Sequence, residues 1–151
     1  MFIQLLHRCR RLALRLLKLK TLGVKVMVFN PAGELLLIRN AYGRRDLLLL
    51  PGGGIGRGEA PVEAAAREVR EETGLRIECV TFSAAYESRS EGKRDSVHLF
   101  TAISTDAPVA DRIEVEEAAF FALDALPANV SAATRRRIAE YRGNRPIDGR
   151  W

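Results

Sequence analysis

Glu68, Glu71 and Glu72 stand at positions i, i+3 and i+4. In a helix that spacing brings all three carboxylates to one face. Like charges gathered there repel one another by about 0.2–0.5 kcal/mol per pair unless something cationic offsets them. A cluster of hard oxygen ligands suits Mg²⁺ or Mn²⁺. Mg²⁺ keeps several waters and is usually shared between carboxylates and the phosphates of a substrate. Such an ion neutralises phosphate charge and lowers the pKa of a bound water.

The surroundings fit that chemistry. Gly52, Gly53, Gly54 and Gly56 precede the acids, and glycine lets backbone approach a ligand or metal closely. A carbonyl from this loop, that of Gly52, could complete a coordination shell. Arg67 lies within reach of Glu63, Glu71 and Glu59, and an Arg67–Glu59 pair is expected to fix the loop onto the helix. By themselves three glutamates also describe any solvated acidic face, so the elements that hold them decide their meaning.

Pro61 to Glu72 is the best helix in the chain. Pro61 suits the first helical position, where its missing N–H costs nothing. Gly74 supplies the left-handed stop. Val62, Ala65, Ala66 and Val69 recur as an apolar stripe, so the helix is expected to turn these residues inward and its acids outward. Ala60 is a poor N-cap, which leaves the preceding loop to hold the helix entry. Gly23 to Phe29 and Glu34 to Arg39 read as two strands joined at the Asn30-Pro31-Ala32-Gly33 turn. Leu47 to Leu50 is a short strand that Pro51 and the glycines stop. Arg76 to Ala85, Ser96 to Ile103 and Ala118 to Leu123 are strand-like. Ser131 caps a last helix running to about Tyr141, and residues 143–151 form a tail. Strands before, between and after helices imply a mixed sheet covered by helices.

Gly53, Glu59, Arg67, Glu68, Val69, Glu71, Glu72, Gly74 and Leu75 occur at fixed spacing. This stretch resembles the complete signature box of the Nudix hydrolase family, and a full match at that spacing is highly specific. Leu50-Pro51-Gly52-Gly53 resembles the family's usual entry to the box, and Glu114 to Leu126 its late strand leading to the last helix. The resemblance covers about residues 21–142. It implies an α/β fold, a Nudix-type α/β/α sandwich with a mixed β-sheet. It also implies divalent-metal-dependent hydrolysis of a phosphoanhydride bond in a nucleoside diphosphate linked to another moiety. Glu68, Glu71 and Glu72 would be catalytic and hold the metals, with Glu68 the first candidate for general base. The Gly52 carbonyl and Glu114 would be further ligands. Gly53, Glu59 and Arg67 would be structural support. Arg39 matches a position that often meets phosphate, and Arg44 and Arg45 lie in a loop near the box as candidate substrate contacts. The rival to an enzyme is a non-catalytic Nudix-fold nucleotide-binding or regulatory module, which predicts damage to the acids; all are intact. Subfamily marks for ADP-ribose, dinucleoside polyphosphate, coenzyme A and NADH hydrolases are absent, so the substrate is not named.

Composition bounds the rest. With 151 residues, 47% apolar and 28% charged, the chain reads as one soluble domain rather than a disordered one. No apolar run approaches the length of about 20 residues needed to span a bilayer. Two cysteines without a CxxC pair, and two histidines, exclude a cysteine- or histidine-based metal site. Cys9 and Cys79 are expected to be reduced thiols, consistent with a cytoplasmic protein.

The net charge is +5, but residues 1–20 hold six basic groups and no acid, so the remainder is slightly acidic. A nucleic-acid-binding face over the whole protein is therefore not expected; the expected partner is a small nucleotide-type substrate. Residues 1–20 read as a basic amphipathic N-terminal helix, 21–142 as the Nudix domain and 143–151 as the tail. Three uses of the N-terminal helix stay open: packing on the domain or on a second subunit, contact with a membrane surface, which would make the protein peripheral there, and contact with RNA. Arg135, Arg136 and Arg137 read as a solvated helix face, and His98 as a structural histidine.

Overall fold

The computed structural model describes residues 22–90 and 93–151. The helix expected within residues 1–20 lies outside them. Among the described residues, seven strands and two helices follow in the order β1 (Leu22–Phe29), β2 (Leu35–Asn40), β3 (Leu48–Leu49), β4 (Gly52–Gly54), α1 (Pro61–Thr73), β5 (Glu78–Ser90), β6 (Lys93–Ile103), β7 (Val115–Phe121) and α2 (Ala132–Tyr141). They form one sheet in the order β3-β2-β1-β6-β5, with β4 paired to β1 and β7 to β2. β1 and β6 run parallel, in register from Leu22↔Ser96 to Phe29↔Ile103. The other pairings are antiparallel, so the sheet is mixed.

Side-chain alternation along β1 sends residues to opposite faces. Val24, Val26 and Val28 pack with Ala64, Ala65 and Val69 of α1. Met27 packs on the other face with Ile138 of α2, Leu50, Tyr86 and Leu99. Among the described residues, α1 covers one apolar layer and α2 the other, which gives the α/β/α sandwich.

Three local expectations needed correcting. Gly52–Gly54 do not merely stop a strand; they form β4, in register Lys25↔Gly52, Val24↔Gly53 and Gly23↔Gly54. Without side chains these residues press against β1. A Cβ on Gly52 would lie 2.1 Å from the Val24 carbonyl oxygen, at a φ of 147°, so no other residue fits.

α1 is rotated from the orientation its apolar stripe suggested. Val62 and Ala66 face outward, while Ala64, Glu68 and Glu72 are buried beside Ala65 and Val69. Burying a charge costs several kcal/mol unless it is paired and hydrogen-bonded. Here the partners described below supply those bonds.

Arg137 is wholly buried rather than solvated. Its guanidinium lies 4.0 Å from the Tyr86 ring centroid and 5.2 Å from that of Trp151. It also donates to Glu140 at 2.9 Å and to the Arg150 carbonyl at 2.8 Å. Residues 143–151 thus fold back on the domain, where Trp151 N–H donates to the Glu87 carbonyl and Gly149 carbonyl accepts from Glu87 N–H. As expected, Ser131 caps α2 by accepting from Thr134 N–H, and Gly74 closes α1 at φ 72°.

Candidate active site

The site is built where β4, the loop after it and α1 meet. Arg67, on α1, is its hub. Its Nε and Nη2 donate to the two oxygens of Glu59 at 2.6 and 2.9 Å, a bidentate pairing that fixes both planes. Nη2 also reaches the Gly54 carbonyl at 2.9 Å. Glu59 in turn accepts from Gly56 N–H at 2.7 Å. The expected Arg67–Glu59 brace is therefore present, and it clasps the glycine-rich loop against the helix. Hydrogen bonding to Glu59, then to Glu68, holds the Arg67 pKa above its ordinary value despite partial burial.

The remaining nitrogen of Arg67 faces the acids. Nη1 donates to Glu68 at 2.8 Å and to Glu71 at 3.3 Å, so two carboxylates converge on one cationic point. Glu68 is buried and Glu71 part-exposed, with side chains 2% and 25% accessible. Glu72 accepts from Gly52 N–H at 2.9 Å, tying α1 directly to β4.

The last turn of α1 is held by the segment before β7. Val109 N–H donates to the Thr73 carbonyl at 2.8 Å and Asp111 N–H to the Glu72 carbonyl at 3.3 Å. Helix C-termini leave such carbonyls without intrahelical partners. Glu114 follows three residues later, half-buried, and its carbonyl accepts from Ala41 N–H.

The chemistry of these donors fits a hard divalent cation: carboxylate oxygens, two of them already sharing one cationic nitrogen, beside glycine backbone. Among the described residues, no three of the His, Cys, Asp and Glu side chains stand assembled as a metal-binding group, with Arg67 bonded to Glu68 and Glu71 and Glu72 directed to Gly52.

The sequence model of the NUDIX domain family matches residues 19–141. The chain belongs to the Nudix hydrolase family. A Bacillus subtilis protein with the provisional name 8-oxo-dGTP diphosphatase is 30% identical over 125 residues, covering 81% of this chain and 80% of its own. A MutT Nudix hydrolase from Burkholderia pseudomallei superposes with a TM-score of 0.70 at 25% identity, over 80% of this chain and 97% of that one. A C. elegans Ap4A hydrolase superposes at 0.67 with 22% identity, over 82% and 96%; that likeness concerns the fold. Membership makes the chain a Nudix pyrophosphohydrolase by class.

Within this Nudix domain the basic candidates sit at the β2 end of the sheet. Arg39 bonds Glu117 at 3.1 Å and Glu116 at 2.8 Å, Arg45 reaches Glu116 at 3.4 Å, and Arg44 pairs with Asp46. The bond to Glu117 leads the causes that raise the Arg39 pKa. Gly53 lies in β4 opposite Val24. The Gly52 group in contact with an acid is its N–H rather than its carbonyl. Asp111 was missed by sequence reasoning; a single acid in a loop carries no spacing signal. Among the described residues no helix is long and apolar enough to cross a membrane.

Proposed function

We propose that this Nudix domain hydrolyses a phosphoanhydride bond in a nucleoside diphosphate linked to another moiety, with Mg²⁺ or Mn²⁺ held by Glu68, Glu71 and Glu72. The observation that supports this most is the convergence of Glu68 and Glu71 on a single nitrogen of Arg67. The Gly52 carbonyl and Glu114 are further candidate ligands. A bound cation supplies neutralisation of phosphate charge and acidification of water.

The chain's own residues do the rest. Glu59 and Arg67 hold the loop on α1, so the acids keep their places as charge arrives. Glu68 accepts a proton from the attacking water. Its burial keeps bulk solvent from competing for that oxygen. Arg39, Arg44 and Arg45 meet substrate phosphate by exchanging their carboxylate partners for phosphate oxygens, to which guanidinium binds in the same forked geometry.

The name of the Bacillus relative makes 8-oxo-dGTP the first substrate to try. The test is a panel of 8-oxo-dGTP, dGTP, a UDP-sugar, diadenosine tetraphosphate and 5′-triphosphorylated RNA, assayed with Mg²⁺ and with Mn²⁺. At least one is expected to be cleaved only when metal is present, and Glu71→Gln is expected to lose that turnover while remaining folded. Wild-type turnover in Glu71→Gln sinks the site. Binding of these nucleotides with no turnover of any would mark the chain as the non-catalytic module instead.

A further inference from the structure

We infer that Asp111 is a positioning residue for Glu114: it sets the backbone that carries Glu114 against the end of the helix that carries Glu68, Glu71 and Glu72. One oxygen, Asp111 Oδ1, accepts three successive backbone N–H groups, those of Ile113, Glu114 and Val115, each at 2.9 Å. Three N–H groups aimed at one carboxylate oxygen define the path of the chain through Glu114. The turn is closed a second time by Arg112 N–H on the Val115 carbonyl at 2.9 Å. Arg112 stands at φ 62°, a left-handed conformation that costs a side-chain-bearing residue about 1 kcal/mol or more. Its own bond to Val115 and the three bonds to Asp111 from the residues after it close the turn around it.

The same residue is also attached to the helix. Asp111 N–H donates to the Glu72 carbonyl, and Val109 N–H to that of Thr73. Three residues of chain span at most about 10 Å, and the turn shortens that reach. Glu114 is thus leashed to the last turn of α1 through Asp111, with Val109 as a second tether two residues earlier. On its far side the Glu114 carbonyl takes the N–H of Ala41, which ties the same point to the loop bearing Arg44 and Arg45. A carboxylate joining the α1 acids would have its backbone placed by this device.

The inference rests on the reading that the α1 carboxylates hold a divalent cation. Its test therefore measures Mn²⁺ affinity of the full chain, by the electron paramagnetic resonance signal of the free ion, and needs no substrate. Asp111→Asn keeps an oxygen at the acceptor position, whereas Asp111→Glu keeps the charge but displaces the oxygen by one methylene. Asp111→Glu is expected to weaken Mn²⁺ binding about tenfold, and Asp111→Asn markedly less. In a Glu114→Gln background, Asp111→Glu is expected to weaken binding no further, because its effect passes through Glu114. Amide exchange at Ile113, Glu114 and Val115 is expected to be slow in the wild type and fast in Asp111→Glu.

Equal losses in the two Asp111 variants, an additive loss in the Glu114→Gln background, or wild-type affinity in Glu114→Gln overturns the inference. Glu71→Gln, measured alongside, separates the two levels. If it binds Mn²⁺ as the wild type does, the α1 site is wrong. If it loses binding while Glu114→Gln does not, only the role of Asp111 falls.

Discussion

Gly52 donates its backbone N–H to Glu72 at 2.9 Å, so a buried carboxylate of α1 is satisfied by a strand of the sheet. The strand can supply that bond only because its residues lack side chains. With φ at 147° and the Val24 carbonyl oxygen 2.1 Å from where a Cβ would stand, Gly52→Ala must displace β4 from β1. It is expected to destabilise the domain by at least about 2 kcal/mol, read from urea unfolding, and to lose activity beyond what that instability explains.

A divalent ion that binds only the folded site must also stabilise it. Mn²⁺ at about 100 times its dissociation constant is expected to add about 2.7 kcal/mol, a rise in Tm of several degrees that EDTA reverses. Glu71→Gln should abolish the rise. An identical shift in that variant would place the ion elsewhere.

Tyr86 gives the fold a dependence on alkaline pH. Burial, reinforced by its 2.6 Å bond to Glu140, raises the Tyr86 pKa above the ordinary phenol value. The neutral form is the one the folded state favours. Its contribution is therefore whole below the unfolded pKa of about 10 and is lost as pH rises through the higher folded value. Tyr86→Phe should cost about 1 kcal/mol at neutral pH and flatten the loss of stability between about pH 10 and pH 12. Urea unfolding across that range checks both; an unchanged alkaline slope refutes the link.

Trp151 is the single tryptophan of the chain and packs edge-on against Tyr86, ring centroids 5.7 Å apart. Its fluorescence reports whether residues 143–151 are docked. Arg137→Ala removes the guanidinium that bonds Glu140 and the Arg150 carbonyl. It is expected to cost about 3 kcal/mol and to shift the Trp151 emission to the red. A variant with native emission and stability would show that this buried cation does not hold the segment.

Much of the frame could be read along the chain. Local rules suffice for the β1–β2 turn at Asn30 to Gly33, for α1 between Pro61 and Gly74, and for the Ser131 cap of α2. The Arg67–Glu59 brace was also legible, because loop and helix lie eight residues apart. The burial of Glu68 and Glu72 was not. Period and hydropathy placed Val62 and Ala66 inside, since neither measure includes the Arg67 and Gly52 donors that make buried carboxylates tolerable. Arg137 was misread for the same reason: Glu140 lies one helical turn away, but the rings that cover the guanidinium, Tyr86 and Trp151, come from β5 and the end of the chain.

By itself, then, the sequence determined the family, the mixed α/β class and the helix that bears three acids, because residue type and short-range spacing carry those properties. Only the tertiary structure decided which way that helix turns, that glycines become a strand, and that Asp111 ties Glu114 to the end of α1. Those outcomes depend on hydrogen bonds and close contacts between residues distant in the chain, and no local pattern encodes which of them will meet.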